Sequence, residues 1–172
     1  MAEPIDLADA KRQLEVVGSA EDALITDAIV DARGWIEGYT GLILTRRTVT
    51  EVLPSFSHRL RAWPITSIDA IAYVDANGQA ATLPADSHFD QIALRPASLV
   101  APSWPKIAVG SMVSVTMTAG FATPAAIKEF SPKIMRAMRI LVAGFYRDRE
   151  FIAPEVEKSA KNLCRDFRSI RV

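Results

Sequence analysis

In Met112-Val-Ser-Val-Thr-Met-Thr118 apolar and hydroxyl residues alternate from Val113 onward. Successive side chains of a strand point to opposite faces. Val113, Val115 and Met117 therefore fall on one face, and Ser114, Thr116 and Thr118 on the other. Beyond this run the period changes. Ile134, Met135, Met138, Leu141, Val142 and Phe145 recur at helical spacing and make one wide apolar stripe. Ser131-Pro132 is a good start for that helix, with Ser as cap and Pro at the first helical position. A chain that uses both periods in separate stretches reads as α+β.

The remaining segments extend this pattern. Near the N-terminus, Asp6 can cap a first helix whose stripe is Leu7, Ala10, Leu14 and Val17, with Gly18 as its stop. Ser19 and Asp22 resemble a capping box for a second helix. Ile25, Ala28, Ile29, Ala32, Ile36 and Tyr39 share its inner face, and Gly41 ends it. Gly34 and Gly38 each weaken that helix by about 1 kcal/mol relative to Ala, a loss that close packing would explain.

The middle reads as strands. Arg46 to Leu53 is rich in β-branched residues, Arg59 to Ala62 is a short candidate, and Ile68 to Val74 is a third. Asn77-Gly78 is the strongest hairpin signal, with Gln79 to Leu83 returning. His88 to Leu94 is weaker, and Pro96 to Pro105 reads as loop. After the long helix, Pro154 can open a last one, with Val156, Ala160, Leu163 and Phe167 on one side. The expected architecture is a helical bundle, two helices from each end of the chain, with a small, mostly antiparallel sheet inserted. Residues 1–44 supply the first helices, 45–121 the β subdomain and 122–172 the last helices, within one domain spanning 1–172.

Composition excludes several classes. At 172 residues the chain can bury a core without staples. The single cysteine, Cys164, rules out an intramolecular disulfide and a Cys-based zinc site. Residues 1–9 lack the basic and apolar stretches of a signal peptide. No apolar run approaches the ~18 residues of a membrane span. Net charge is zero but uneven. Residues 1–41 carry three Lys/Arg against nine Asp/Glu, whereas residues 131–172 carry ten against five. Such a split either pairs the two ends within one subunit or steers one subunit onto the next.

The search for chemistry returns negatives. No His-Glu-x-x-His, Gly-x-Ser-x-Gly or phosphate-loop motif occurs. His88 with Asp86 and Asp90 is the nearest approach to a metal or proton-relay cluster, and a polar loop accounts for it more simply. Cys164 beside Leu163 on a helix reads as packing, not as a nucleophile. Glu155 and Glu157 are two apart and do not share a helix face. Lys158, Lys161, Arg165 and Arg168 make the last helix basic. Aromatic residues do not interleave with them as single-strand binding requires, so a solvated face or a protein interface is favoured. No enzymatic activity, cofactor or metal is expected.

The ordered segments resemble the head–tail connector (head-completion adaptor) family of tailed phages, found also in prophages and gene transfer agents. The likeness is carried by Asp6-Leu-Ala-Asp-Ala-Lys-Arg-Gln-Leu14, Glu21-Asp-Ala-Leu-Ile25 and the helix ending Tyr39-Thr-Gly41. It continues in Leu60-Arg-Ala-Trp-Pro-Ile-Thr-Ser-Ile68, Tyr73-Val-Asp-Ala-Asn-Gly78, Val113-Ser-Val-Thr-Met-Thr-Ala-Gly-Phe121 and Leu141-Val-Ala-Gly-Phe-Tyr-Arg-Asp-Arg-Glu150. One departure is the pair Pro124 and Pro132, which leaves the start of the long C-terminal helix open.

The resemblance implies a structural subunit of the virion neck, made in the host cytoplasm, without a membrane partner. Copies would form a ring, commonly of twelve, beneath the portal protein. The ring would extend the DNA channel without reading sequence and offer a platform to a stopper or tail-completion protein. On this reading Arg165, Phe167, Arg168, Ile170 and Arg171 are the candidates for portal docking. Arg136 and Arg139 are candidates for contact with Asp27, Asp31 or Glu37 of a neighbouring subunit. Another neck or tail-completion protein, or a small DNA-binding protein, are the alternatives.

Overall fold

The computed structural model describes residues 3–148 and 152–168. It is α+β, with five helices and a small antiparallel sheet. The chain divides into two compact units. One comprises residues 1–45 and 121–172, and the other, inserted in sequence, residues 46–120.

The helical unit begins with α1 (Leu7–Leu14). The Asp6 carboxylate accepts the Asp9 N–H at 2.6 Å, the cap that the sequence suggests. The helix stops earlier than its stripe implies. Glu15 turns left-handed at φ 59°, and Val17 lies 97% exposed. Helix α2 (Asp22–Thr40) has no side-chain cap of the expected kind. Asp22 is drawn instead to Lys11 at 2.5 Å, and Glu21 accepts from the Tyr146 hydroxyl. Gly41 ends α2 at φ 75°, a conformation that glycine adopts without strain.

The C-terminal half holds one helix more than expected. Thr123 accepts the Ala126 N–H and Pro124 occupies the first position of α3 (Pro124–Phe130). Ser131 then separates it from α4 (Pro132–Arg147). Both prolines therefore open helices, which resolves the start of the long one at Pro132. Helix α5 (Pro154–Cys164) runs into a single 3-10 turn over Arg165–Phe167.

The core of this unit lies where α4 meets α2. Ile25, Ala28, Ile29, Ala32 and Ile36 of α2 are buried, as are Ile134, Met138, Leu141 and Val142 of α4. Helix α5 packs on α4 at Gly144, where an added Cβ would lie 2.9 Å from Val156 Cγ1 and 3.2 Å from Ile152 Cγ1. Gly34 and Gly38 differ. A Cβ at either meets nothing within 4 Å, so no packing within the chain accounts for them.

In the inserted unit the four-stranded sheet has the order β1 (Arg47–Leu53), β6 (Val113–Ala119), β2 (Ile65–Val74), β3 (Ala80–Thr82), all antiparallel. Val113, Val115 and Met117 are fully buried, as their alternation requires. The opposite face is a hydroxyl lattice. Thr50 meets Thr116 at 3.2 Å, and Asp69 accepts from Ser67 and Thr118 at 2.7 and 2.9 Å.

Two expectations fail here. Arg59 to Ala62 is not a strand, because the Glu51 carboxylate takes the N–H groups of Arg61 and Ala62 and only Leu60 bridges to Ala97. Within the proline-rich stretch expected as loop, β5 (Ser98–Val100) pairs with β4 (Phe89–Gln91) as a separate ribbon.

The glycines yield a contrast that chemical denaturation can measure. Gly144→Val forces a stiff branched side chain against Val156 and is expected to destabilise by about 2 kcal/mol or more. Gly34→Ala and Gly38→Ala enter open space and are expected to stabilise by about 0.5–1 kcal/mol each.

Candidate assembly surfaces

Helix α2 buries one face, which leaves the other to solvent. Asp27, Val30 and Asp31 lie on that outer face, with Val30 40% exposed beside the two carboxylates. Gly34 and Gly38 continue it. Glu37 does not belong to this group. Its carboxylate accepts the Leu44 N–H at 2.7 Å and pairs with Arg33 at 3.5 Å. Arg33 also binds Glu3 at 2.8 Å. Glu37 therefore holds the exit from α2 together. Arg136 and Arg139 stand exposed on α4.

Arg139 reaches a notch of about 210 Å³ between α1, α3 and α4. Pro4, Pro124, Ala125 and Met135 give it apolar walls, with Lys128 and Arg139 at its side. Asp6 and Asp9 also line it, but Asp6 is spent on its helix cap and Asp9 pairs with Arg12. The cap hydrogen bond does not cancel the Asp6 charge, whereas Asp9 is paired; among the described residues neither Lys128 nor Arg139 has an ion-pair partner, which leaves the notch with a small net positive charge. Sequence reasoning singled out Arg139 but missed the notch, which needs α3, a helix without a readable stripe.

The C-terminal candidates separate. Phe167 packs on Phe130 at 5.4 Å between ring centroids, and Phe130 on Phe121 at 5.3 Å. The Arg168 guanidinium lies 5.6 Å from the centre of the Tyr39 ring. Asp166 pairs with Lys133 at 2.8 Å. Its carboxyl is held below the usual carboxylate range, chiefly by that hydrogen bond and then by the lysine charge. Arg165 is exposed. Ile170 and Arg171 lie outside the described residues.

In the inserted unit, Phe89 and Val100 sit directly opposite each other on the β4–β5 ribbon and both point outward. His88 Nε2 lies 3.0 Å from Asp90, while its buried Nδ1 has no hydrogen-bond partner among the described residues. Among the described residues no group of three or more His, Cys, Asp or Glu is placed to hold a metal. Cys164 is buried, and burial pushes its thiol up to about 11, opposite to the shift a nucleophile needs. No helix among the described residues is long and apolar enough to cross a membrane.

Exposed charged and aromatic groups, with no metal-holding cluster among the described residues, are the features to set beside known proteins. Residues 4–76 match the family model described as phage gp6-like head-tail connector protein. That is the family the ordered motifs resemble, and the match runs from the approach to α1 through β2.

Three solved structures are similar over nearly the whole chain. A chain from the neck of an empty gene transfer agent (GTA) particle, computed with C6 symmetry, is 24% identical with a TM-score of 0.80. The match covers 100% of this chain and 94% of that one. A chain from the virion of a native GTA particle gives 24% and 0.80, covering 98% and 91%. A chain from the neck of a native GTA particle, computed with C12 symmetry, gives 23% and 0.71, covering 100% and 94%. At these identities the likeness establishes the fold. Curated proteins give no match.

The two kinds of acidic residue respond differently to truncation. Glu37→Ala leaves the Leu44 N–H without its acceptor and removes one of the two carboxylates that hold Arg33, and is expected to destabilise by about 1–3 kcal/mol. Asp27→Ala and Asp31→Ala should stay within about 0.5 kcal/mol of the parent. Cys164 should resist a thiol reagent at pH 8 in the folded chain and react once denaturant unfolds it.

Proposed function

We propose that this chain is a head–tail connector subunit. Copies form a ring beneath the portal of a phage-like particle, extend the DNA channel and carry the next neck or tail-completion protein. The observation that carries this reading is the fold likeness to a neck chain over the full length, joined to the connector-family match over residues 4–76. The C6 and C12 symmetry of the two similar neck structures supports a ring, and twelve copies satisfy both.

The work is done by contact, not by bond chemistry. A connector needs surfaces that differ on its two sides, because a ring closes through heterologous contacts. It needs no pocket that turns over a substrate. DNA passes through the channel without sequence-specific recognition. The chain resides in the virion neck, and in the host cytoplasm before assembly.

Portal docking is assigned to the C-terminal end. Phe167 and Arg168 tie that end to the helical unit. Arg165, Ile170 and Arg171 are then the groups offered to the portal.

Two measurements test this reading. Electron microscopy of particles should place the chain in a ring directly under the portal; its absence from the neck would end the proposal. Removal of residues 169–172 should leave the melting temperature unchanged yet weaken binding to portal oligomers by about tenfold or more, roughly 1.4 kcal/mol. Unchanged binding would remove the C-terminal end from the docking surface.

A further inference from the structure

The notch between α1, α3 and α4 and the outer face of α2 are complementary in two respects. The notch has apolar walls at Pro4, Pro124, Ala125 and Met135; Lys128 and Arg139, without an ion-pair partner among the described residues, outweigh the Asp6 carboxylate there, and Asp9 is paired with Arg12. The α2 face presents an apolar side chain, Val30, flanked on one side by two carboxylates, Asp27 and Asp31. Residues four apart on a helix stand about 6 Å apart along its axis, so both carboxylates can straddle one opening.

We infer that the outer face of α2 in one copy of this chain seats in the α1–α3–α4 notch of the next. Val30 enters between the apolar walls, and Asp27 and Asp31 meet Lys128 and Arg139. Arg136, exposed on the same helix as Arg139, adds to the positive field that steers the approach. The contact deepens the connector reading and rests on it.

Two observations make a second copy the occupant. The charges match in sign on two different patches of one chain, so each copy offers both halves, and the contact is heterologous as a ring requires. Gly34 and Gly38 follow Val30 along the outer face, and a Cβ at either would meet nothing within 4 Å among the described residues. Glycines there leave the α2 backbone open to close approach beside the seated valine. Glu37 is excluded from the contact, being already bound to Leu44 and Arg33.

Disulfide trapping tests the contact directly. Cys164 is buried and its thiol is pushed up to about 11, so it stays silent while introduced cysteines react. The variant carrying Val30→Cys and Ala125→Cys should give a covalent ladder of multimers on mild oxidation of rings assembled on portal oligomers. Either single variant should give none. Asp27→Lys with Asp31→Lys, or Lys128→Glu with Arg139→Glu, should weaken ring assembly by about tenfold or more, and combining all four should restore it. Wild-type rings without a ladder from the double-cysteine variant would overturn this contact and leave the connector reading intact. A wild-type chain that forms no ring, alone or on portal oligomers, would overturn the connector reading and the contact together.

Discussion

The packing of α2 against α4 is the interaction on which the rest depends. These helices come from opposite ends of the sequence, and their buried residues form the core of the helical unit. Once they are paired, the chain between them must leave and return at one place. The Phe121 N–H donates to the Ile43 carbonyl at 3.3 Å, which marks that place. A whole β unit can be inserted there because closing a longer loop adds little entropy, only about 0.6 kcal/mol for each doubling of length. The same pairing turns the second face of each helix outward. Acidic side chains on α2 and basic ones on α4 are therefore a consequence of which faces the core has taken.

Much of this was legible in the sequence wherever one period ran undisturbed. Val113, Val115 and Met117 alternate against hydroxyl residues, and all three are buried. The α4 stripe of Ile134, Met138 and Leu141 was equally plain. Reading failed where partners lie far along the chain. The Ser19–Asp22 cap does not form because Lys11 claims Asp22, a contact that local spacing cannot announce. Arg59–Ala62 is held by the Glu51 carboxylate in place of a ladder. Helix α3 is short and Ala-rich, with Ile127 its only buried residue, so it casts no stripe.

The candidate surfaces divide along the same line. Asp27, Asp31, Arg136 and Arg139 could be picked out as charged positions on amphipathic helices, since a buried face implies an exposed one. That Glu37 is committed inside its own subunit could not, because its main partner is the backbone of Leu44, beyond the end of the helix. The tail shows the converse. Phe167 and Arg168 were legible as a helix-face aromatic and a basic candidate for portal docking, but not their partners within the subunit, Phe130 and Tyr39.

A mid-helix glycine that touches nothing is a standing loss of stability, and α2 has two on one exposed face. Gly144 has a visible reason, since Val156 and Ile152 fill the space a side chain would need. Gly34 and Gly38 have none inside the subunit. Among the described residues nothing covers that side of α2, and the inferred contact between copies would recover the loss there. A surface of that kind suits a protein whose free energy is completed by assembly. Under the inferred contact, the weak face of α2 and the α1–α3–α4 notch are its two halves.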